Sequence, residues 1–424
     1  MLGRPNFVAG PLHGEVAVPG DKSISHRALI AGAAARRPIS ISNLNPGRDV
    51  RATLEALRAL GVPIVGSAPN VTVASQGLRP AAAPLDCMNS GSTARMLLGA
   101  CAGANVPAAF DGDESLRRRP MEPVAAQLRA FGARIETTQG RLPMAFSGTS
   151  AIETRKFILL APSAQVKSAL LFAGTFAGVE IGISGDRGSR DHTERLLRAL
   201  GYDVEWDGRT VVFRPGAARS ETVSVPGDFS AAAFFITAAT IAPGSWIRVR
   251  DVGLNPTRTG LLDALRHMGA RFDVSNVREV CGEPVGDVRV EHAQLRGASI
   301  GADLALRALD EIPLLAVAAA FARGETRIEG VGALRSKESD RIAGVGRLLD
   351  AVGIDFDVRL TGVSIFGGTP VARDIVVETH DDHRIAMAAA VLACGAGPIS
   401  IDSDASLDVS FPAFARTLEA CRPG

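Results

Sequence analysis

Cysteine is sparse and unpatterned in this chain. Cys87, Cys101, Cys281, Cys394 and Cys421 are scattered and odd in number, and none sits in a C-x-x-C or Cys/His ligand spacing. A disulfide framework and a structural zinc site are therefore not expected. Net charge is also nearly absent, because 46 Lys and Arg face 45 Asp and Glu. A general binder of nucleic acid or of membrane surfaces would carry a basic excess. Any anion site must then be built from locally concentrated cations. Long apolar runs are missing as well: stretches such as 312–322 are too short to cross a bilayer as a helix. The first eleven residues lack the apolar core of a signal peptide. The expectation is a cytoplasmic protein with neither nucleic-acid nor membrane partners. At 424 residues it should form two or more domains with substantial cores.

What is present is a repeat. A polar start, an apolar run and a glycine stop recur six times. The starts are Lys22-Ser23, Asn89-Ser90-Gly91-Ser92, Ser163-Ala164-Gln165, Asp228-Phe229-Ser230, Asp310-Glu311 and Asp382-His383-Arg384. The runs are rich in alanine and apolar nearly all round, the pattern of core helices whose small residues let backbones approach. A glycine-stopped amphipathic helix follows most of them, at 54–61, 124–132, 193–201, 260–269 and 344–353. Alternating pairs such as 133–137 with 143–147, and 203–206 with 210–214, read as hairpins. The period is roughly 70 residues, too long for a solenoid repeat.

The repeat has a half-way mark, since Val18-Pro19-Gly20-Asp21-Lys22-Ser23 reappears as Val225-Pro226-Gly227-Asp228-Phe229-Ser230. This predicts an α/β (α+β) chain of two domains with three units each. One domain takes 20–227, and the other combines 1–19 with 228–424. Pro-Gly at both crossings suits hinges.

Several clusters could carry chemistry. Lys22, Ser23 and Arg27 surround a helix start, where free N–H groups and the positive dipole end favour an anion; a solvated Ser-capped helix is the alternative. Asn89-Ser90-Gly91-Ser92 reads as an N-cap whose glycine permits close ligand approach. Arg117-Arg118-Arg119 favours an anionic partner over a merely solvated loop. In Lys337-Glu338-Ser339-Asp340-Arg341, helical spacing would put Lys337 and Glu338 on the face of Arg341, either as an exposed ion-pair lattice or as a proton-exchanging Glu held among cations. His380-Asp381-Asp382-His383-Arg384 lacks a recognised metal-ligand spacing, so a helix-start Arg aimed at an anion is preferred. Read together, these starts are expected to aim from two faces at one polyanionic ligand.

Taken in order, these motifs, with Arg119-Pro120-Met121, Leu309-Asp310-Glu311 and Lys337-Glu338-Ser339-Asp340-Arg341, resemble the 5-enolpyruvylshikimate-3-phosphate synthase family of enolpyruvyl transferases. The resemblance covers essentially the whole chain. It implies two domains of three βαβαββ units around buried helices. It also implies enolpyruvyl transfer from phosphoenolpyruvate to the 5-hydroxyl of shikimate 3-phosphate, with phosphate released through a tetrahedral intermediate. Lys22, Ser23, Arg27, Ser163, Ala164, Gln165, Asp310 and Lys337 would hold shikimate 3-phosphate. Lys22, Gly91, Arg119, Gln165, Arg341 and Arg384 would hold phosphoenolpyruvate. Asp310, Glu338 and Lys22 would be catalytic, with Asn89, Arg190 and His383 as further candidates. No metal or cofactor is implied, and a monomer is expected.

There are departures from the family pattern. Some members carry a Lys shortly before the final Phe-Pro, where this chain has Val409-Ser410, and an Asn where it has Ala333. Ser189-Arg190-Asp191-His192-Thr193 matches one branch, in which Arg190 would reach a substrate phosphate. Gly91, rather than Ala, implies sensitivity to glyphosate, a phosphoenolpyruvate competitor. The sister transferase acting on UDP-N-acetylglucosamine commonly places a Cys in the loop that here reads Asp113-Glu114-Ser115-Leu116-Arg117, which disfavours that alternative. A non-catalytic binder of phosphorylated metabolites would gain nothing from Asp310 and Glu338.

Overall fold

The computed structural model describes residues 6–152 and 155–423. They divide into two units. The central unit runs from Gly20 to Pro226 and includes Glu279–Glu283. The other, here the terminal unit, holds the chain up to Pro19, Gly227–Arg278 and the chain from Pro284 onward.

Each unit is built on three core helices. In the central unit these are α1 (Lys22–Ala34), α2 (Gly91–Ala104) and α3 (Ala164–Ala177). In the terminal unit they are α4 (Phe229–Ile241), α5 (Ile312–Ala320) and α6 (His383–Ala396). Every residue of α4 and α5 is buried, as their unbroken apolar composition requires. Five of the six starts have a side-chain N-cap: Asp21, Ser90, Ser163, Asp228 and Asp382 accept from backbone N–H groups of the first turn. Before α5 the chain instead makes a 3-10 turn, Leu309–Glu311, and Pro313 enters the first helical turn.

The core helices α2 and α3 meet where glycines of one face the alanine backbone of the other. A Cβ on Gly99 of α2 would lie 2.1 Å from the Ala169 carbonyl oxygen of α3, and one on Gly103 would lie 2.1 Å from that of Ala173. The two glycines are four apart and share the helix face that meets α3.

Among the described residues there are six sheets, five of them four-stranded. In one, Lys156–Ile158 runs parallel to Ile181–Ser184, which pairs antiparallel with Val211–Arg214, the partner of Asp203–Trp206 in a hairpin. The glycines after the amphipathic helices, Gly61, Gly132, Gly201, Gly269 and Gly353, all have positive φ.

Two sheets are completed from far away in the sequence. Thr222–Ser224 lies parallel to Ile39–Ser42 in the central unit, and His13–Ala17 lies parallel to Trp246–Gly253 in the terminal unit. The sixth sheet is three-stranded. Asn6–Phe7 runs antiparallel to Ile399–Ile401, which runs parallel to Val376–Val377. A terminal hairpin is replaced there by the 3-10 turn Ala405–Val409 and the helix Phe414–Ala420.

The glycines read as hinges have a tighter reason. A Cβ on Gly20 would sit 1.7 Å from the Asn43 carbonyl oxygen, and one on Gly227 would sit 2.8 Å from that of Asp251. Only glycine admits such backbone contact. The five cysteines are free thiols. Among the described residues no helix is long and apolar enough to cross a membrane.

Candidate active site

The central unit gathers its polar groups at the starts of α1, α2 and α3. Lys22 opens α1 and its Nζ lies 2.8 Å from Asp49 Oδ2. Arg27, one turn on, is only 3% exposed. Its Nε donates to Thr193 Oγ1 at 2.8 Å, Nη1 to the Ser23 carbonyl at 2.9 Å and Nη2 to Ser168 Oγ at 3.0 Å. Burial pushes the Arg27 guanidinium down to about 10, although Glu194 and Asp21 favour its charge and Arg190 opposes it. Behind Lys22, His26 Nδ1 meets Thr53 Oγ1 at 2.7 Å, and the chain of hydroxyls continues through Thr93 to Ser90. Burial, with Lys22 and Arg27 adding to it, holds the His26 imidazole well below its ordinary value.

At the start of α2, Gly91 leaves room for Arg95. The Arg95 guanidinium donates to Gln165 Oε1 at 2.7 Å and to the Pro120 carbonyl at 2.9 Å. Gln165 in turn donates to Ser92 Oγ at 2.9 Å, so the starts of α2 and α3 are bound together. Ser163 caps α3, accepting from Val166 N–H. Of the three consecutive arginines only Arg119 turns inward, pairing with Asn89 Oδ1 and with Ser115 Oγ at 3.2 Å. Arg117 forks onto Asp111 at 2.8 and 2.6 Å, and Arg118 pairs with Glu114 at 2.7 Å, both on the surface. Their clustering in sequence is therefore not a clustering in space.

α3 also carries a buried charge. Lys167 Nζ lies 2.7 Å from Asp186 Oδ2 and 2.7 Å from Glu194 Oε1, and the three side chains are 2%, 1% and 0% exposed. Burial alone would lower the Lys167 ammonium, but Glu194 and Asp186 outweigh it and raise it. Burial lifts the Glu194 carboxyl above its usual range.

The terminal unit holds a denser constellation around Asp310, on the 3-10 turn before α5. Arg258 Nη1 lies 3.4 Å from Asp310 Oδ2, Arg341 Nη1 3.5 Å from Oδ1, and Arg384 Nη2 3.7 Å from Oδ2. Arg384 also donates to the Asp310 carbonyl at 3.0 Å. Glu338 accepts from Arg341 at 2.6 Å. Buried Asp382, the cap of α6, takes Arg341 Nε at 2.8 Å. Ser230 and buried Glu311 pair beneath Arg258 and Arg384. Burial alone would lower the Arg341 guanidinium, yet Asp382, Glu338 and Asp310 hold it above its ordinary value. A permanently charged fork beside a carboxylate suits a planar anion.

One expected geometry is corrected. Lys337 does not share a helix face with Arg341. Asp340 caps the N–H groups of Ile342 and Ala343, so that helix runs Arg341–Asp350 and Lys337 is extended at ψ −151°. Glu338 reaches Arg341 from the loop instead.

The sequence profile described as EPSP synthase (3-phosphoshikimate 1-carboxyvinyltransferase) matches residues 8–418. The chain belongs to the EPSP synthase family. A 3-phosphoshikimate 1-carboxyvinyltransferase of Halorhodospira halophila is 46% identical to it, with 96% of this chain and 94% of that protein covered. One from Geobacillus kaustophilus is 44% identical, covering 95% and 96%. Among solved structures, EPSP synthase from Acinetobacter baumannii superposes with a TM-score of 0.86 at 37% identity, covering 98% of both chains. The enolpyruvyl transferase NikO from Streptomyces tendae, at 19% identity and a TM-score of 0.76, shares the fold.

For this EPSP synthase family member, the structure brings Asp310, Glu338, Arg341 and Arg384 into one cluster, and His383 is buried at the first position of α6. Ser163, Ala164 and Gln165 open α3. Arg190 lies on the loop before the helix His192–Ala199. Sequence reasoning missed Arg95, Arg258, Lys167 and the pairing role of Asp382. Arg95 had a local signal, four residues after Gly91 on one helix face. Arg258 and Lys167 had none. Among the described residues no group of three or more His, Cys, Asp or Glu side chains could hold a metal.

Proposed function

We propose that the chain transfers the enolpyruvyl group of phosphoenolpyruvate to the 5-hydroxyl of shikimate 3-phosphate and releases phosphate. The observation that carries this reading is Asp310 set among Arg258, Arg341 and Arg384, with Glu338 on Arg341. Carboxylates held among guanidinium groups can move protons while the cations hold anionic substrate.

In this reading Asp310 takes the 5-hydroxyl proton as that oxygen bonds to C2 of phosphoenolpyruvate. Glu338 gives a proton to the methylene carbon, which becomes the methyl of a tetrahedral intermediate. The C2–O bond to phosphate then breaks, Lys22 protonates the leaving phosphate, and Glu338 removes a methyl proton to restore the double bond. Shikimate 3-phosphate is held by Lys22, Ser23, Arg27, Ser163, the Ala164 backbone, Gln165 and Lys337, with Arg190 on its phosphate and Asp310 on its reacting hydroxyl. Phosphoenolpyruvate is held by Lys22, Gly91, Arg119, Gln165, Arg341 and Arg384, supported by Asn89 on Arg119 and by His383. Each positioned acid or base contributes about 10²–10⁴-fold, and fixed cations around the developing charge supply much of the rest.

The reading includes a monomer working in the cytoplasm, checked by light scattering and by fractionation. Phosphate release is measured with phosphoenolpyruvate and either shikimate 3-phosphate or UDP-N-acetylglucosamine as acceptor. Turnover is expected only with the first. Turnover with the second alone, or binding without turnover, overturns the reading.

A further inference from the structure

The loop that carries Arg190 has two glycines at positive φ, Gly185 and Gly188, and thus little stiffness of its own. It is tied down by an ion cluster that the reaction does not use. Lys167 Nζ reaches the Ser189 carbonyl at 3.3 Å as well as Asp186 and Glu194 at 2.7 Å. Asp186 in turn accepts from Ser189 N–H at 3.2 Å and from Ser189 Oγ at 3.0 Å. Burying three charged groups costs several kcal/mol of desolvation per ion. A methionine or leucine would fill such a place on a core helix without that cost. The cluster makes sense if its return is the geometry of the loop.

We propose that Lys167 is a positioning residue that, through Asp186 and Ser189, fixes the loop so that Arg190 meets the phosphate of shikimate 3-phosphate. The inference rests on the assignment of Arg190 to that phosphate above. Arg190 already lies near enough to Arg27 for the two positive charges to oppose each other. Thr193, which accepts from Arg27 Nε, opens the helix that follows this loop, so the loop geometry bears on both guanidinium groups.

The test is initial-rate phosphate release by the full chain with each substrate varied. Lys167→Met is expected to raise the KM for shikimate 3-phosphate by about tenfold, the worth of one charge-assisted hydrogen bond. The phosphoenolpyruvate KM and kcat should stay within about twofold, because Gln165, the phosphoenolpyruvate residue on α3, is held by Arg95 and Ser92 and not by this cluster. Arg190→Ala should raise the same KM, and the double variant should be no worse than Arg190→Ala alone. Additive effects, or both KM values rising together, overturn the inference while leaving the Arg190 contact standing. An unchanged KM in Arg190→Ala overturns that contact and the inference with it. Should Lys167→Met fail to fold, Asp186→Asn, which keeps the Lys167–Glu194 pair, must show the same split; an unchanged KM there is equally fatal.

Discussion

Arg341 and Asp382 face each other almost sealed from solvent, with Nε on Oδ2 at 2.8 Å, Nη2 on Oδ1 at 3.4 Å, and exposures of 1% and 0%. Asp382 also caps α6 through the Arg384 N–H at 3.0 Å. One carboxylate therefore holds the Arg341 side chain and caps the helix turn that carries Arg384. Removing it leaves a buried guanidinium short of its partner, which typically costs about 3–5 kcal/mol. Asp382→Ala is expected to lose that much in urea unfolding, and turnover with it. A loss under 1 kcal/mol would show that the pair is dispensable.

Glu338 is the more exposed carboxylate of the cluster, with 21% of its side chain open, as a group that meets substrate should be. Glu338→Gln keeps the size and a hydrogen-bonding oxygen for Arg341. It is expected to lower kcat by about 10²–10⁴-fold while calorimetry shows shikimate 3-phosphate binding little changed. Turnover close to that of the unaltered protein would remove Glu338 from proton transfer.

A Cβ on Gly91 would sit 2.4 Å from Arg95 Nη1, the movable end of a long side chain. Gly91→Ala should therefore fold normally but push Arg95 off Gln165. The expected result is a phosphoenolpyruvate KM raised by about tenfold, one charge-assisted contact, with glyphosate inhibition weakened in parallel. Strong glyphosate inhibition of the variant at unchanged KM would contradict this.

Gly99 meets backbone rather than a movable side chain. Gly99→Ala gains about 1 kcal/mol of helix propensity, but the methyl would overlap the Ala169 carbonyl and drive α2 from α3. Overpacking costs about 1–3 kcal/mol or more, so net destabilisation is expected in urea melts. An increase in stability would mean that the two helices adjust freely.

His26 sets a pH dependence of stability. Its folded pKa is depressed by burial, by Lys22 and by Arg27, whereas the unfolded imidazole titrates near its ordinary value of 6.5. Below that value the unfolded chain binds a proton that the folded chain refuses. Stability from this group is thus complete above about pH 7 and falls with decreasing pH, at most about 1.4 kcal/mol per unit for one proton. The slope between pH 7 and pH 5 should be shallower in His26→Asn. Equal slopes would assign it to other groups.

The amino-acid sequence alone determined the repeated unit. Caps at Ser90 and Asp382, alanine-rich runs and glycine stops act within a few residues of themselves, so they stand as local pattern; at the first start the cap is Asp21, where the sequence suggested a serine. Polar groups crowded at helix starts likewise marked Lys22, Arg119, Arg341 and Arg384 before any coordinates. Only the tertiary structure decided what each charge meets. Arg258 reaches Asp310 across 52 residues and Ser230 across 28, with no periodicity to announce either. Lys167 carried no local signal, and only folding set it between Asp186 and Glu194. Arg117, Arg118 and Arg119 are equal in sequence, yet packing sends one inward and two to the surface. Local signals record how a segment folds on itself, whereas the partners of a buried charge are chosen by chain closure over long separations.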